Sequence, residues 1–199
     1  MTLANAISII FASVISENIL LFYFLGTCPL ISLSRDPEAA FNMGVAVTFV
    51  TTFSAAANFV LDRYLLGPLG LQHLRLLFYI VVIAALTQAL EMFLDRFLPA
   101  VYVSFGIFMP LLAVNCAILG VSIFASLREY SFAETSLFAF GSGVGWLLVV
   151  SAMAAIKRRI PKENIPPSLG ETGMSMVIAA MMAMSFWAVS QVFKGVALS

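Results

Sequence analysis

Apolar residues come along this chain in long blocks, punctuated by short polar stretches: "SRDPE" at 34–38, "DRYLLGPLG" at 62–70, "DRFLP" at 95–99 and "REY" at 128–130. A helix needs about 20 apolar residues to cross the roughly 30 Å hydrocarbon core of a bilayer. Six blocks reach that length, at about 4–25, 39–61, 74–94, 101–127, 132–156 and 173–193. The pattern predicts an all-α integral membrane protein with six transmembrane helices in a single polytopic domain, 1–199. The longest polar stretch, "KRRIPKENIPPSLGETG", reads as a loop.

Composition gives the reason for lipid as the solvent. The 199 residues are 62% hydrophobic and 10% charged, with a mean hydropathy of +1.05. Soluble domains are about 45–50% apolar and about 25% charged, so a soluble chain of this size could not hide its apolar surface. Ten basic and ten acidic residues balance, which offers no face for nucleic acid. The opening "MTLANAISIIFASVISENILL" lacks a basic start and a small-residue cleavage site, so it reads as a retained first helix rather than a signal peptide. Arg35, Arg96, Lys157, Arg158, Arg159 and Lys162 fall on one side of a six-span chain, and Arg63, Arg75, Arg128 and Lys194 on the other. That bias orients the "KRRIPKEN" loop to the cytoplasm and both termini to the outside.

The two halves echo each other. "AFNMGVAV" from Ala40 and "AFGSGVGW" from Ala139 share Ala, Phe, Gly and Val in register, 99 positions apart. Ala55 and Ala56 meet Ala154 and Ala155 at the same offset, and "VIAA" occurs at Val82 and again at Val177. Spans one to three thus resemble spans four to six, with repeat one at about 1–98 and repeat two at about 99–199. Three spans per repeat is an odd number, so the second repeat must cross the bilayer in the opposite sense. Inverted repeats of this kind place their special site near the midplane, on interrupted helices.

Two cysteines stand at related points. Cys28 lies in "FLGTCPL" and Cys116 in "PLLAVNCAILG". Glycine and proline beside Cys28 loosen helical hydrogen bonding, and Pro110, Asn115 and Gly120 flank Cys116 in the same way. The first helix of each repeat is therefore expected to be interrupted near its cysteine. Backbone N–H groups freed at such breaks can hydrogen-bond thiolate or sulfide. Taken singly, either thiol reads as a small buried hydrophobe; the repeat-related pairing argues for a metal or cluster site. Iron–sulfur clusters use four thiolates, and the only histidine, His73, sits in a polar loop. A centre here needs two further ligands from another chain built on the same plan. Two ligands per chain are compatible with [2Fe–2S], a single iron or zinc.

Two acids bear on ion movement. Glu17, beside Asn18, falls within the first span, and Glu91 near the end of the third. Carboxylates inside a membrane are costly and default to function, here a cation path; a helix-stabilising carboxyl for Glu17 and an interfacial pair with Arg96 for Glu91 are the structural alternatives. Gly141 and Gly145 in "FGSGVGW" are spaced as GxxxG and read as close helix packing. The methionines of "MSMVIAAMMAM" read as packing or lipid-facing residues. No Ser–His–Asp, HExxH or GxGxxG arrangement is present, so no catalytic residue is assigned.

The segments "SENILLFYFLGTCPL", "LTQALEMFLDRF", "GIFMPLLAVNCAILG", "REYSFAETSLFAFGSGVGW" and "IPPSLGETG" resemble, over nearly the whole chain, a family shared by two bacterial complexes. These are the Na+-translocating NADH:quinone reductase (Na+-NQR) and the Rnf complex. The fourth segment looks most like the E-type subunit of Na+-NQR, with the A-type subunit of Rnf the nearest alternative. The resemblance implies a multi-pass protein of the bacterial inner membrane, non-autonomous in an enzyme that passes electrons from NADH to quinone while Na+ moves outward. It implies a homologous partner, the D-type subunit of the same complex, lying alongside. It also implies Cys28 and Cys116 as two of the four ligands of a shared intramembrane iron–sulfur centre, most simply [2Fe–2S], that relays electrons across the bilayer. The flavins, NADH and quinone are placed by the same resemblance on other subunits. Pro29 after the first cysteine departs from the common family pattern without touching the ligand. A stand-alone cation-coupled transporter built on inverted repeats and a membrane thiol–disulfide enzyme are the competing readings. The second is weakened because its cysteines would lie in separate apolar spans.

Overall fold

The computed structural model describes residues 3–33, 37–70, 72–97, 112–160 and 170–197. Every regular element among them is helical. The first crossing is built in pieces. Helix α1 (Leu3–Phe11) widens into a π-helical turn, Ala12–Ser16, and stops at Glu17. Helix α2 (Ile19–Tyr23) is a single short stretch, and α3 (Thr27–Leu33) follows after a second break. Helix α4 (Pro37–Leu61) is continuous and runs on through a π-helical turn, Asp62–Leu66, into the short α5 (Gly67–Leu69). His73 lies in the tight turn Gln72–Leu74, outside the apolar spans as expected, and α6 (Arg75–Phe97) makes the third crossing. Helix α7 (Cys116–Leu127) begins at the second cysteine. Helices α8 (Phe132–Arg159) and α9 (Gly170–Ala197) complete the set.

Four helices are long and apolar enough to cross a membrane, and they coincide with the second, third, fifth and sixth expected spans. The remaining two crossings are the interrupted ones. The early part of the expected fourth span, 101–111 with Pro110, lies outside the described residues, as do Arg35 and Lys162.

The expected breaks occur, but the first is not made by Pro29. Pro29 is the third residue of α3, within the first turn, where its missing N–H has no helical partner to lose. The chain is broken before it, where Phe24 and Gly26 adopt left-handed backbone at φ 54° and 80°. Gly120 likewise sits inside α7 rather than at its break; a methyl group there would lie 2.6 Å from Leu25 Cδ1, so the glycine lets the broken segment rest against α7. The break at Glu17–Asn18 divides a stretch that apolar periodicity alone reads as one helix. Polar side chains, which hydropathy treats as mere interruptions, close it.

Helix α8 is the centre of the fold. Trp146, Val149, Val150, Met153 and Ala154 are buried along it. Two partners approach it closely because glycines face them. Methyl groups on Gly141 and Gly145 would collide with Ser13 and with Asn18 and Val14 of the first crossing, while one on Gly143 would come within 2.7 Å of Thr48 Cα on α4. The GxxxG spacing therefore allows the close packing expected of it, and the glycine between serves the opposite face. Gly44 on α4 is matched in turn against Leu147, 2.7 Å from Leu147 Cγ by the same construction. Helices α6 and α9 lie at the periphery, and α9 turns Met181, Met184 and Trp187 outward.

Polar rungs fasten α7 to α4. Asn58 Nδ2 donates to Ser122 Oγ at 3.0 Å, and one turn along Ser126 Oγ donates to Asp62 Oδ2 at 3.0 Å. Asp62 also accepts from Arg75 Nε at 3.0 Å, which draws in the start of α6. These bonds hold the cysteine-bearing α7 in register with continuous helices on both sides.

Candidate functional site at the paired helix breaks

The two breaks meet. Gly26 N–H donates to Cys116 Sγ at 2.9 Å across 90 residues of sequence. Cys28 stands two residues beyond that amide, as the second residue of α3, and Cys116 is the first residue of α7. Both thiols are thus in the first turn of a helix, where backbone N–H groups have no helical acceptor. Cys28 is exposed and Cys116 half-buried, and neither is in a disulfide.

Gly26 is locked in place. Its φ of 80° is costly for any residue with a side chain. A methyl group on it would lie 2.7 Å from Trp146 Nε1, 2.9 Å from Ala117 Cβ and 3.1 Å from Asn115 Oδ1. Trp146 Nε1–H donates to the Gly26 carbonyl at 3.3 Å. Trp146 is the fifteenth of the 28 residues of α8. At 1.5 Å per residue α8 spans about 42 Å, so the two breaks pack beside the midpoint of a helix long and apolar enough to cross a membrane.

Asparagines stand at the Glu17–Asn18 break, ahead of α2, and at the start of α7. Asn18 Oδ1 accepts from Leu20 N–H at 3.1 Å while its Nδ2 donates to the Val14 carbonyl at 3.0 Å, so one side chain satisfies both sides of the first gap. Asn115 Oδ1 caps α7 by accepting from Ala117 N–H at 3.0 Å. Its Nδ2 is buried and has no acceptor. A buried donor without a partner costs about 1–3 kcal/mol, and this one lies next in sequence to a thiol.

These features match what a sulfur-ligated metal centre requires: two thiols at helix N-termini, an N–H already directed at one sulfur, and a buried amide with N–H groups to give. Among the described residues, no group of three or more His, Cys, Asp or Glu side chains gathers around a common point. The chain contains two cysteines, so its own thiols amount to half of a four-sulfur set.

Glu17 and Glu91 are not brought together with the cysteines in one cluster. Glu17 is held by Arg128, with Oε2 and an Nη atom 2.5 Å apart. The guanidinium lies 5.4 Å from the Phe138 ring centre and 5.9 Å from that of Tyr130. Burial opposes its charge, but hydrogen bonds to Tyr130 and Glu17 outweigh that and hold its pKa above the ordinary arginine value. A carboxylate so paired is a poor free cation ligand. Glu91 is half-buried on α6 and takes no ion pair with Arg96 among the described residues.

Trp146, Arg128 and the orphaned amide of Asn115 are the site residues that sequence reasoning did not single out. A signal existed for the first: tryptophan in membrane helices belongs at the two interfaces, and Trp146 falls in the middle of a span. For Arg128 there was none, because its partner is 111 positions away in the sequence.

Comparison with known proteins bears directly on these breaks. A family model described as "Rnf-Nqr subunit, membrane protein" matches residues 6–193. A protein of Nitrosomonas europaea, named as the E subunit of Na(+)-translocating NADH-quinone reductase, is 42% identical over 188 residues, covering 89% of this chain and 93% of the relative. Proteins with the same name from Rhodopirellula baltica and Neisseria gonorrhoeae are 37% and 40% identical, each covering 92% of this chain and 96% of its own length. With a match that takes in both cysteine-bearing breaks and the helix that supports them, this chain belongs to the Rnf-Nqr family of membrane subunits.

Proposed function

We propose that this chain is the E-type membrane subunit of a Na+-translocating NADH:quinone reductase. Cys28 and Cys116 supply half the ligands of an intramembrane iron–sulfur centre, and a homologous D-type subunit supplies the rest. The observation that carries the reading is the Gly26 N–H donated to Cys116 Sγ, which joins two helix breaks beside the midpoint of α8. A centre bound there supplies a one-electron relay through the low-dielectric core, where no soluble carrier can enter.

This chain's own part is to hold sulfur in a state that accepts negative charge. Cys28 and Cys116 offer thiolates at two helix N-termini. The Gly26 amide, already donated to Cys116 Sγ, stabilises added charge on that sulfur. Trp146 of α8 holds the first break through the Gly26 carbonyl, and the Asn58–Ser122 and Asp62–Ser126 rungs hold α7, which carries the second cysteine, against α4 and the turn that follows it. Cys28 is exposed, which leaves its sulfur accessible to the neighbouring chain that completes the set.

The same reading takes 1–98 and 99–199 as inverted repeats. Its support is a reciprocal contact: Gly44 meets Leu147 and Gly143 meets Thr48, and each residue of one pair is 99 positions from its counterpart in the other. Contacts of the form i to j′ and j to i′ are what a twofold relation produces.

Purification of the intact complex carrying Cys28→Ala or Cys116→Ala, with iron and acid-labile sulfide measured, tests the assignment. Loss of the same iron and sulfide in both variants, together with loss of quinone reduction, supports it. Wild-type iron content in either variant refutes it. The relatives' printed name leads to the expectation that turnover depends on Na+, and a turnover indifferent to Na+ argues against the coupling ion.

A further inference from the structure

We propose that Trp146 is a positioning residue that sets the electron affinity of the sulfur on Cys116, acting through the Gly26 peptide. This rests on the reading of Cys116 as a ligand to iron.

The geometry gives Trp146 two holds on one residue. Its indole N–H donates to the Gly26 carbonyl at 3.3 Å, and its Nε1 edge would be 2.7 Å from any methyl group on Gly26. Gly26 is in left-handed backbone, which a free glycine leaves readily because it populates both signs of φ. Something must fix φ at 80° for the Gly26 N–H to stay 2.9 Å from Cys116 Sγ. The indole N–H supplies that restraint from the carbonyl side of the same residue. Asn115 and Ala117 wall the third side, but neither bonds to Gly26.

The placement of Trp146 supports the assignment. It is 1% exposed at the midpoint of α8, whereas membrane tryptophans favour the interfaces. A buried indole N–H needs an acceptor, and the one it takes is the carbonyl of the residue that faces the sulfur. Hydrogen bonds to sulfur are one of the levers that set the potential of a sulfur-ligated centre, because they stabilise the extra negative charge of the reduced form. Releasing Gly26 removes one such bond and makes reduction less favourable.

The test uses the intact complex. Trp146 is replaced by β-(3-benzothienyl)alanine, which keeps the bicyclic shape and puts sulfur where the N–H was. Trp146→Phe serves as the genetic counterpart, and 5-fluorotryptophan at 146 restores the donor. Iron per complex, the midpoint potential by redox titration and the paramagnetic signal of the reduced centre are measured. The expected result is full iron, an altered signal, and a ratio of reduced to oxidised centre at fixed potential about tenfold lower in the benzothienyl variant, or about 59 mV for one electron. The fluorotryptophan variant is expected to match wild type. Full iron with an unmoved potential overturns the proposal and leaves the ligand assignment standing. Loss of iron in the benzothienyl variant also overturns it, since Trp146 would then build the site rather than tune it. An equal shift in the fluorotryptophan variant overturns it as well. Failure of the ligand assignment is seen separately, as wild-type iron in Cys116→Ala.

Discussion

Gly26→Ala isolates the energetic role of the break that faces Cys116. A side chain in left-handed backbone costs about 1–2 kcal/mol. The added methyl group also meets Trp146 Nε1 at 2.7 Å, Ala117 Cβ at 2.9 Å and Asn115 Oδ1 at 3.1 Å, all inside the roughly 3.5–4.0 Å of favourable contact. Overpacking of this degree costs about 1–3 kcal/mol. The sum is about 2–5 kcal/mol, large against the roughly 5–15 kcal/mol of a whole domain. Gly70 supplies the control. It has φ 67° but nothing within 4 Å of an added methyl group, so Gly70→Ala carries the backbone cost alone. The extra cost at Gly26, about 1–3 kcal/mol, corresponds to about a 5- to 140-fold greater tendency of the break to open, at about 1.4 kcal/mol per tenfold. Relief can come only by moving the indole or by moving the Gly26 amide away from Cys116, and either lengthens the N–H···S bond. Thermal inactivation of the purified complex and iron retained after mild heating read the effect. Gly26→Ala should fall well below Gly70→Ala in both. Equal behaviour of the two would show that the Gly26 pocket is not rigid and would remove the structural basis for a fixed N–H···S contact.

Three further outcomes are expected. Gly143→Ala sets a methyl group 2.7 Å from the Thr48 backbone; since backbone cannot swing aside, it should lower stability by about 1–3 kcal/mol, read as faster inactivation in detergent, and a neutral result would contradict the close α4–α8 approach. Asn115→Ala and Asn115→Ser both remove the unpartnered amide, but only Ser keeps a capping oxygen for α7, so the thermal midpoint of the Ser variant should lie above that of the Ala variant by the equivalent of about 1 kcal/mol. Glu17→Gln unpairs Arg128 at a partly exposed site, which should cost no more than about 1 kcal/mol; under the proposed function the Na+ response of turnover should stay unchanged, and a raised Na+ requirement would put Glu17 on the ion path.

The sequence carried much of the fold in plain view. Blocks of apolar residues name the crossings because each must match the thickness of hydrocarbon, and α4, α6, α8 and α9 fall where those blocks lie. The small residues of "FGSGVGW" announce close packing for the same local reason. The breaks beside Cys28 and Cys116 were legible as events, but their mechanism was not. Pro29 and Gly120 have the chemistry of helix breakers; in the fold the first is a permitted first-turn residue and the second a packing surface. The chain turns at Gly26 and Asn115, which the sequence had marked beside the cysteines, and at Phe24, which it had not; there left-handed backbone and a side-chain cap replace helical bonds.

By itself, then, the sequence determined an all-helical membrane protein with two cysteines beside helix interruptions, because hydropathy, chain length and residue chemistry are local properties that need no partner to express them. Tertiary structure alone decided that Gly26 reaches Cys116 across 90 residues, that Trp146 clamps the reaching peptide, and that Arg128 takes up Glu17. Those are distances between segments remote in the chain. They arise from how glycine faces and polar rungs seat one helix against another, and one-dimensional order does not encode them in any countable pattern.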